Sequence, residues 1–167
     1  MSIQVGDKLP AATVYEFFHE ETGGCALGPN AFDVAKEAAG KTVAILALPG
    51  AYTPTCSAKH LPGFIQLRDE FAKRGVDEIW CVSVNDAFVM GAWGKEQGAN
   101  GKVRMLADGS AEFTRKVSME LDLTARGLGV RSQRYSMLVK DGVVQVVNLD
   151  PPGAFENSAA EKLLSQV

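Results

Sequence analysis

No C-x-x-C pair occurs in this 167-residue chain, and its cysteines number only three: Cys25, Cys56 and Cys81. The missing pair argues against a thioredoxin-type dithiol and against a zinc ribbon. An odd count in a chain of this size does not make a disulfide scaffold. Histidine is scarcer still, with His19 and His60 alone; His19 reads as a surface residue, and no carboxylate or cysteine cluster accompanies His60, so no metal is expected, nor is any cofactor. An excess of one charge is also missing: 17 basic and 20 acidic side chains leave a formal net charge of −3, which gives no electrostatic reason to expect nucleic acid or an anionic membrane as a partner. Long apolar runs are absent, the strongest being Val43 to Gly50, far too short to span a bilayer. The stretch Met1 to Lys8 lacks a basic segment followed by an apolar core, so no secretory signal is read there. The expectation is a soluble, cytoplasmic protein in a reducing compartment, its thiols either buried or, in one case, working as a nucleophile.

What is present is ordinary for a globular chain: 46% hydrophobic and 22% charged residues, with no repeat, linker or low-complexity tract. The length suits a single domain over residues 1–167. Ala12 to Phe18 alternates as an early strand, Glu20 to Asn30 reads as a loop, and Ala31 to Ala39 as a short helix. The run TVAILAL, Thr42 to Leu48, suits a strand buried on both faces. Thr53 followed by Pro54 is a helix-start signature, and the helix is expected to run to about Arg74 with a kink at Pro62. Glu78 to Val84 is a second buried strand. Asp86 caps a helix from Ala87 to about Gln97, Val103 to Ala107 is a short strand, and Ala111 to Val117 is helical. Tyr135 to Lys140 and Val143 to Leu149 flank Asp141-Gly142, a type I′ hairpin signal. Asn157 to Leu164 is a last helix. Alternating strands and helices with a closing hairpin imply an α/β sandwich on a mixed central sheet, the outline of a thioredoxin-like fold.

The chemistry concentrates in Pro49-Gly50-Ala51-Tyr52-Thr53-Pro54-Thr55-Cys56, where a buried strand gives way to a helix. With Thr53 as the cap, Cys56 falls in the first turn, where free N–H groups and the helix dipole favour a thiolate over a thiol. A buried structural cysteine is the ordinary alternative. His60, four residues on, shares a helix face with Cys56.

The stretch LPGAYTPTCSAKHLPGF, Leu48 to Phe64, resembles the peroxidatic-cysteine motif of the peroxiredoxins, in the form found in the type II, peroxiredoxin V-like subfamily. Cys81 to Val89, Gly91 to Gly94, Val103 to Asp108 and Arg131 to Met137 resemble the same subfamily, so the likeness spans nearly the whole chain. It implies that Cys56 attacks the peroxide and becomes a sulfenic acid, that the Thr53 hydroxyl bonds thiolate and peroxide, that Pro49 shields the thiolate, and that the Arg134 guanidinium faces the reacting oxygens. A fixed guanidinium suits charge building on a leaving oxygen. From pattern alone Arg134 reads as a surface or salt-bridging arginine, and Arg131 is the nearest competitor for its role. His60 takes a structural or supporting part.

The resemblance also implies a thiol reductant. No cysteine follows Cys81, so the C-terminal resolving cysteine of some subfamily members is missing, and Pro151 to Ser158 stands in that region. This favours a one-cysteine cycle recycled by glutathione, with glutaredoxin. Thioredoxin, or a Cys56–Cys81 disulfide, is the other route. Cys81 otherwise reads as a core thiol beside Ile79 and Ser83, and Cys25 as an incidental one. A homodimer is implied, with Tyr52, Phe88 and Trp93 as interface aromatics. A non-catalytic redox sensor on the same fold, or chaperone-like assembly after over-oxidation, would be told apart by turnover and by sizing.

Overall fold

The computed structural model describes residues 1–18 and 28–167. The expected loop from Glu20, together with His19 and Cys25, lies outside the described residues, except for the last positions of that loop.

Seven strands form the main sheet in the order β2-β1-β5-β4-β3-β8-β9. At its centre β3 (Thr42–Ala47), β4 (Glu78–Ser83) and β5 (Arg104–Ala107) run parallel. On one side β1 (Thr13–Glu16) lies antiparallel to β5, and β2 (Asn30–Asp33) antiparallel to β1. On the other, β8 (Tyr135–Lys140) lies antiparallel to β3, and β9 (Val143–Leu149) folds back on β8. The mixed sheet expected from the sequence is thus formed. Asp141 and Gly142 both take positive φ, 48° and 76°, as a type I′ turn requires.

Successive residues of β3 point to opposite faces, and both faces are covered. Val43, Ile45 and Ala47 join Trp80, Val82 and Leu106, under Val34 of α1 (Val34–Ala38) and Phe113 of α5 (Glu112–Lys116). Ala44, Leu46 and Leu48 join Ile79, Cys81 and Met105 on the opposite face. There they pack beneath Leu61 and Phe64 of α2 (Leu61–Gln66), Phe71 of α3 (Arg68–Lys73), Met90 and Trp93 of α4 (Ala87–Gln97), and Leu163 of α6 (Ala160–Ser165). Burial on both faces explains why β3 and β4 read as unbroken apolar runs. Asp86 caps α4 as expected, accepting from the Val89 amide at 2.9 Å.

Three local readings are corrected and one element is added. The helix expected from Ala31 begins only at Val34. Asn30–Asp33 pairs as a strand with β1, and Asp33 caps α1 by accepting from the Lys36 amide. The single helix expected as far as Arg74 is instead a π-helical segment, Cys56–His60, followed by α2 and α3 with a break at Leu67. Pro62 has no N–H for the Ala58 carbonyl, and the wide turn ahead of it, in which the Leu61 amide reaches Cys56 O, absorbs the mismatch. A second antiparallel pair, β6 (Glu120–Leu123) with β7 (Gly129–Ser132), lies outside the main sheet and was not anticipated. The last helix starts at Ala160, since Asn157 and Ser158 are tied to Asp150. Among the described residues no helix is long and apolar enough to cross a membrane.

Candidate active site

The site lies past the carboxyl end of β3, where the chain leaves the sheet through Leu48, Pro49 and Gly50. Tyr52 turns it in the left-handed region, φ 64°. Thr53 occupies the cap position, its carbonyl accepting from the Ser57 amide at 3.0 Å. Its hydroxyl does not cap the helix as expected. It donates to the Gly50 carbonyl at 2.8 Å, which leaves its oxygen lone pairs to accept another donor. Asn85 Oδ1 pins the same loop, accepting from the Ala51 amide at 2.9 Å and from Ser83 Oγ at 2.7 Å.

Cys56 is fully buried. Its Sγ accepts from Arg134 Nη2 at 3.2 Å. The other terminal nitrogen, Nη1, lies 2.9 Å from His60 Nδ1. A guanidinium has no acceptor, so Arg134 donates and Nδ1 carries the lone pair. The ring's Nε2 lies 3.1 Å from the Ser158 carbonyl, which can only accept. The two contacts together fix the neutral, Nε2-protonated tautomer. Burial, and then the charge of Arg134, push this imidazole down to about 3.

Arg134 stands one residue before β8, and Asp150 one residue after β9. The Asp150 amide donates to the Arg134 carbonyl at 2.9 Å, extending the hairpin ladder by one step. Asp150 is buried, and its carboxylate gathers the amides of Glu156, Asn157 and Ser158 and the Ser158 hydroxyl, the last at 2.6 Å. Burial works against its charge, yet these donors hold the carboxyl below its ordinary range. Phe155, carried by the same turn, lies 5.2 Å from the His60 ring and 5.8 Å from the Arg134 guanidinium, centroid to group.

The structure thus brings Cys56, His60 and Arg134 together and sets Thr53 in the loop that leads to them. Pro49 is half-buried, and its carbonyl accepts from Arg131 Nη1 at 3.3 Å. Arg131 also donates to the Leu128 carbonyl, so it braces the loop while Arg134 meets the sulfur. Trp93, expected at an interface, is instead wholly buried and donates to Ser57 Oγ at 3.0 Å. Tyr52 and Phe88 are exposed. Cys81 sits on the Cys56 side of the sheet, buried, and burial together with the neighbouring Cys56 charge raises its thiol well above the usual range. Sequence reasoning missed Asp150, Phe155 and Ser158. The signal available was an aspartate ahead of Pro151-Pro152-Gly153, a turn whose amides such a side chain can collect. Among the described residues no cluster of three or more potential metal ligands occurs.

A family model described as Redoxin matches residues 4–164. Peroxiredoxin-2E, chloroplastic, of Arabidopsis thaliana is 50% identical over 165 residues, covering 98% of this chain and 68% of its own. Peroxiredoxin-2B of the same plant is 47% identical over 97% of this chain and 96% of its own. The crystal structure of reduced Prx3 in complex with H2O2 from Vibrio vulnificus superposes with a TM-score of 0.90 at 46% identity, over 98% of each chain. The sandwich is therefore the thioredoxin-like fold, and the chain belongs to the type II branch of the peroxiredoxin family, as a thiol peroxidase.

Proposed function

We propose that this enzyme reduces hydrogen peroxide and alkyl hydroperoxides through Cys56, with Arg134, Thr53 and Pro49 completing the catalytic group. The observation that carries the reading is the 3.2 Å approach of Arg134 Nη2 to Cys56 Sγ. The thiolate attacks one peroxide oxygen. An S–O bond forms, the O–O bond breaks, and sulfur is oxidised to the sulfenic acid as the other oxygen leaves and takes a proton to become water or an alcohol. Negative charge moves from sulfur to the departing oxygen. A guanidinium already aimed at the sulfur follows that charge without reorganising. Thr53, donating to Gly50, has lone pairs to receive the peroxide O–H. Pro49 offers no amide donor, and the role proposed for it is to shield the thiolate from water.

The recycling reductant is a small thiol, glutathione with glutaredoxin. Its thiolate attacks the sulfenic sulfur, water leaves, and a second thiol releases Cys56 from the mixed disulfide. Free Cys56 and Cys81 fit a reducing compartment, and we propose the cytoplasm. Exposed Tyr52 and Phe88, beside the Cys56 loop and at the start of α4, are proposed contacts of a homodimer. A Cys56–Cys81 disulfide serviced by thioredoxin is the competing cycle, favoured by the shared core position of the two thiols.

A peroxidase assay comparing glutathione–glutaredoxin with thioredoxin, on wild type, Cys56→Ser and Cys81→Ser, tests both. Cys56→Ser should be inactive and Cys81→Ser active with glutathione. Retained activity in Cys56→Ser rejects the site, and loss in Cys81→Ser rejects the one-cysteine cycle.

A further inference from the structure

Arg134 needs a reason to hold one pose. Its aliphatic stem is flexible, and a guanidinium free to swing would meet the sulfur only part of the time. The contacts around it form a chain of fixed groups. Arg134 Nη2 meets Cys56, and Nη1 meets His60 Nδ1. His60 Nε2 meets the Ser158 carbonyl. The Ser158 amide and hydroxyl both meet the buried Asp150 carboxylate, at 3.0 and 2.6 Å. The Asp150 amide closes the circuit on the Arg134 carbonyl at 2.9 Å.

We propose that Asp150 is a positioning residue for peroxide reduction: by gathering the turn at 156–158 it fixes the Ser158 carbonyl, which fixes the His60 ring, which aims Arg134 at Cys56. The proposal rests on the reading of Cys56 and Arg134 given above. A carboxylate is required because three of the four donors converging on it are backbone amides, which can only donate. Asparagine would turn an N–H₂ toward amide N–H groups and release part of the turn. Once the Ser158 carbonyl shifts, the Nε2 proton loses its partner. The ring then has no fixed tautomer, and Nδ1 ceases to be a dedicated acceptor for Arg134. Phe155 would drift with the same turn, removing the ring that lies against the guanidinium and the imidazole.

The test is stopped-flow oxidation of Cys56 by hydrogen peroxide, followed by tryptophan fluorescence, since Trp93 bonds Ser57 next to the thiol. Asp150→Asn should slow the second-order oxidation about 10- to 100-fold, the scale of a small misplacement of a reacting group. Acting through His60, it should add nothing further in the Asp150→Asn, His60→Ala double variant beyond the loss in His60→Ala alone. Nitrogen-15 spectra should show one Nε2–H tautomer of His60 in wild type and a tautomer mixture in Asp150→Asn. A folded Asp150→Asn that oxidises at the wild-type rate overturns the proposal, as does a loss fully additive to that of His60→Ala. Should Asp150→Asn not fold, Ser158→Ala decides instead. It removes one donor and no charge, is expected to slow oxidation several-fold with the same non-additivity, and overturns the proposal if it reacts at the wild-type rate. Cys56→Ser and Arg134→Ala run in parallel separate the two readings. If they remain active the site itself is wrong, and if they fail while Asp150→Asn does not, only the positioning role falls.

Discussion

His60 Nδ1 and Arg134 Nη1 lie 2.9 Å apart, and the proton between them belongs to the arginine. The imidazole must therefore stay neutral for the guanidinium to keep its pose.

That neutrality ties stability to pH. In the unfolded chain His60 titrates near 6.5, and in the fold at about 3. Between those values the unfolded state binds more protons, so stability rises with pH. The contribution is complete above about pH 6.5 and is lost as pH falls toward 3, on the order of a few kcal/mol across the window. Urea unfolding between pH 4 and 7 should show this slope in wild type and a shallower one in His60→Gln. Equal slopes would mean that the ring is not held neutral.

Arg134→Lys keeps the charge and should still slow Cys56 oxidation about 10²- to 10³-fold, the scale for losing one preorganised donor. A single ammonium cannot span sulfur and imidazole as two guanidinium nitrogens do. Arg131→Ala, which gives up contacts to the Pro49 and Leu128 carbonyls, should lose less than about 10-fold by the same comparison. Stopped-flow oxidation of both variants checks the assignment, and a larger loss at Arg131 would reverse it.

These contacts also show where sequence reading stops. β3, β4, α4 and the Asp141-Gly142 hairpin were legible because apolar runs, an aspartate cap and a positive-φ dipeptide act locally. Cys56, Thr53 and Pro49 came with one continuous motif, and Arg134 came only through resemblance, since nothing near it in sequence says it faces position 56. An aspartate ahead of Pro151-Pro152-Gly153 signals a turn, but the tie of Asp150 and Ser158 to the site was illegible for the same reason: it exists only once β8 and β9 align Arg134 with Asp150. The π-helical segment was half legible. Pro62 announced a fault in the helix, but its form depends on how Cys56 and His60 are both held inward. The short β2 carries weak alternation and is settled by pairing with β1, and the four-residue β6, which does alternate, pairs only with β7 outside the main sheet.

A second charged assembly, away from the thiol, predicts a pure stability effect. Arg104 on β5 holds Glu16 at 2.8 Å, Glu37 at 2.8 Å and Glu78 at 3.0 Å, and lies against the Phe32 and Trp80 rings. Burial raises the Glu16 carboxyl, with Arg104 opposing that rise. Arg104→Met would leave the buried Glu16 without its cation, with Lys41 alone still facing Glu37 and Glu78, and should cost about 3–5 kcal/mol in urea unfolding. Adding Glu16→Gln should recover part of this, because it removes the most buried of the three charges. Cys56 oxidation in the folded Arg104→Met variant should proceed at the wild-type rate, and a slowed reaction would tie this cluster to the site.

Cys81 offers the sharpest check on how the cycle closes. Its thiol is buried, and burial with the nearby Cys56 charge keeps it protonated at pH values where a free cysteine begins to ionise. Only the thiolate attacks sulfur or an alkylating agent. In the native protein Cys81 should therefore react with iodoacetamide clearly more slowly than free cysteine. The same protonation disfavours its attack on a sulfenic acid at position 56, which would also require strand β4 to give up a residue paired with both β3 and β5. One equivalent of peroxide followed by glutathione should leave a glutathione adduct on Cys56, visible by intact mass, with Cys81 still reduced. A product two hydrogens lighter than the reduced chain, with both cysteines linked in one peptide, would show that β4 opens and that Cys81 is the resolving thiol.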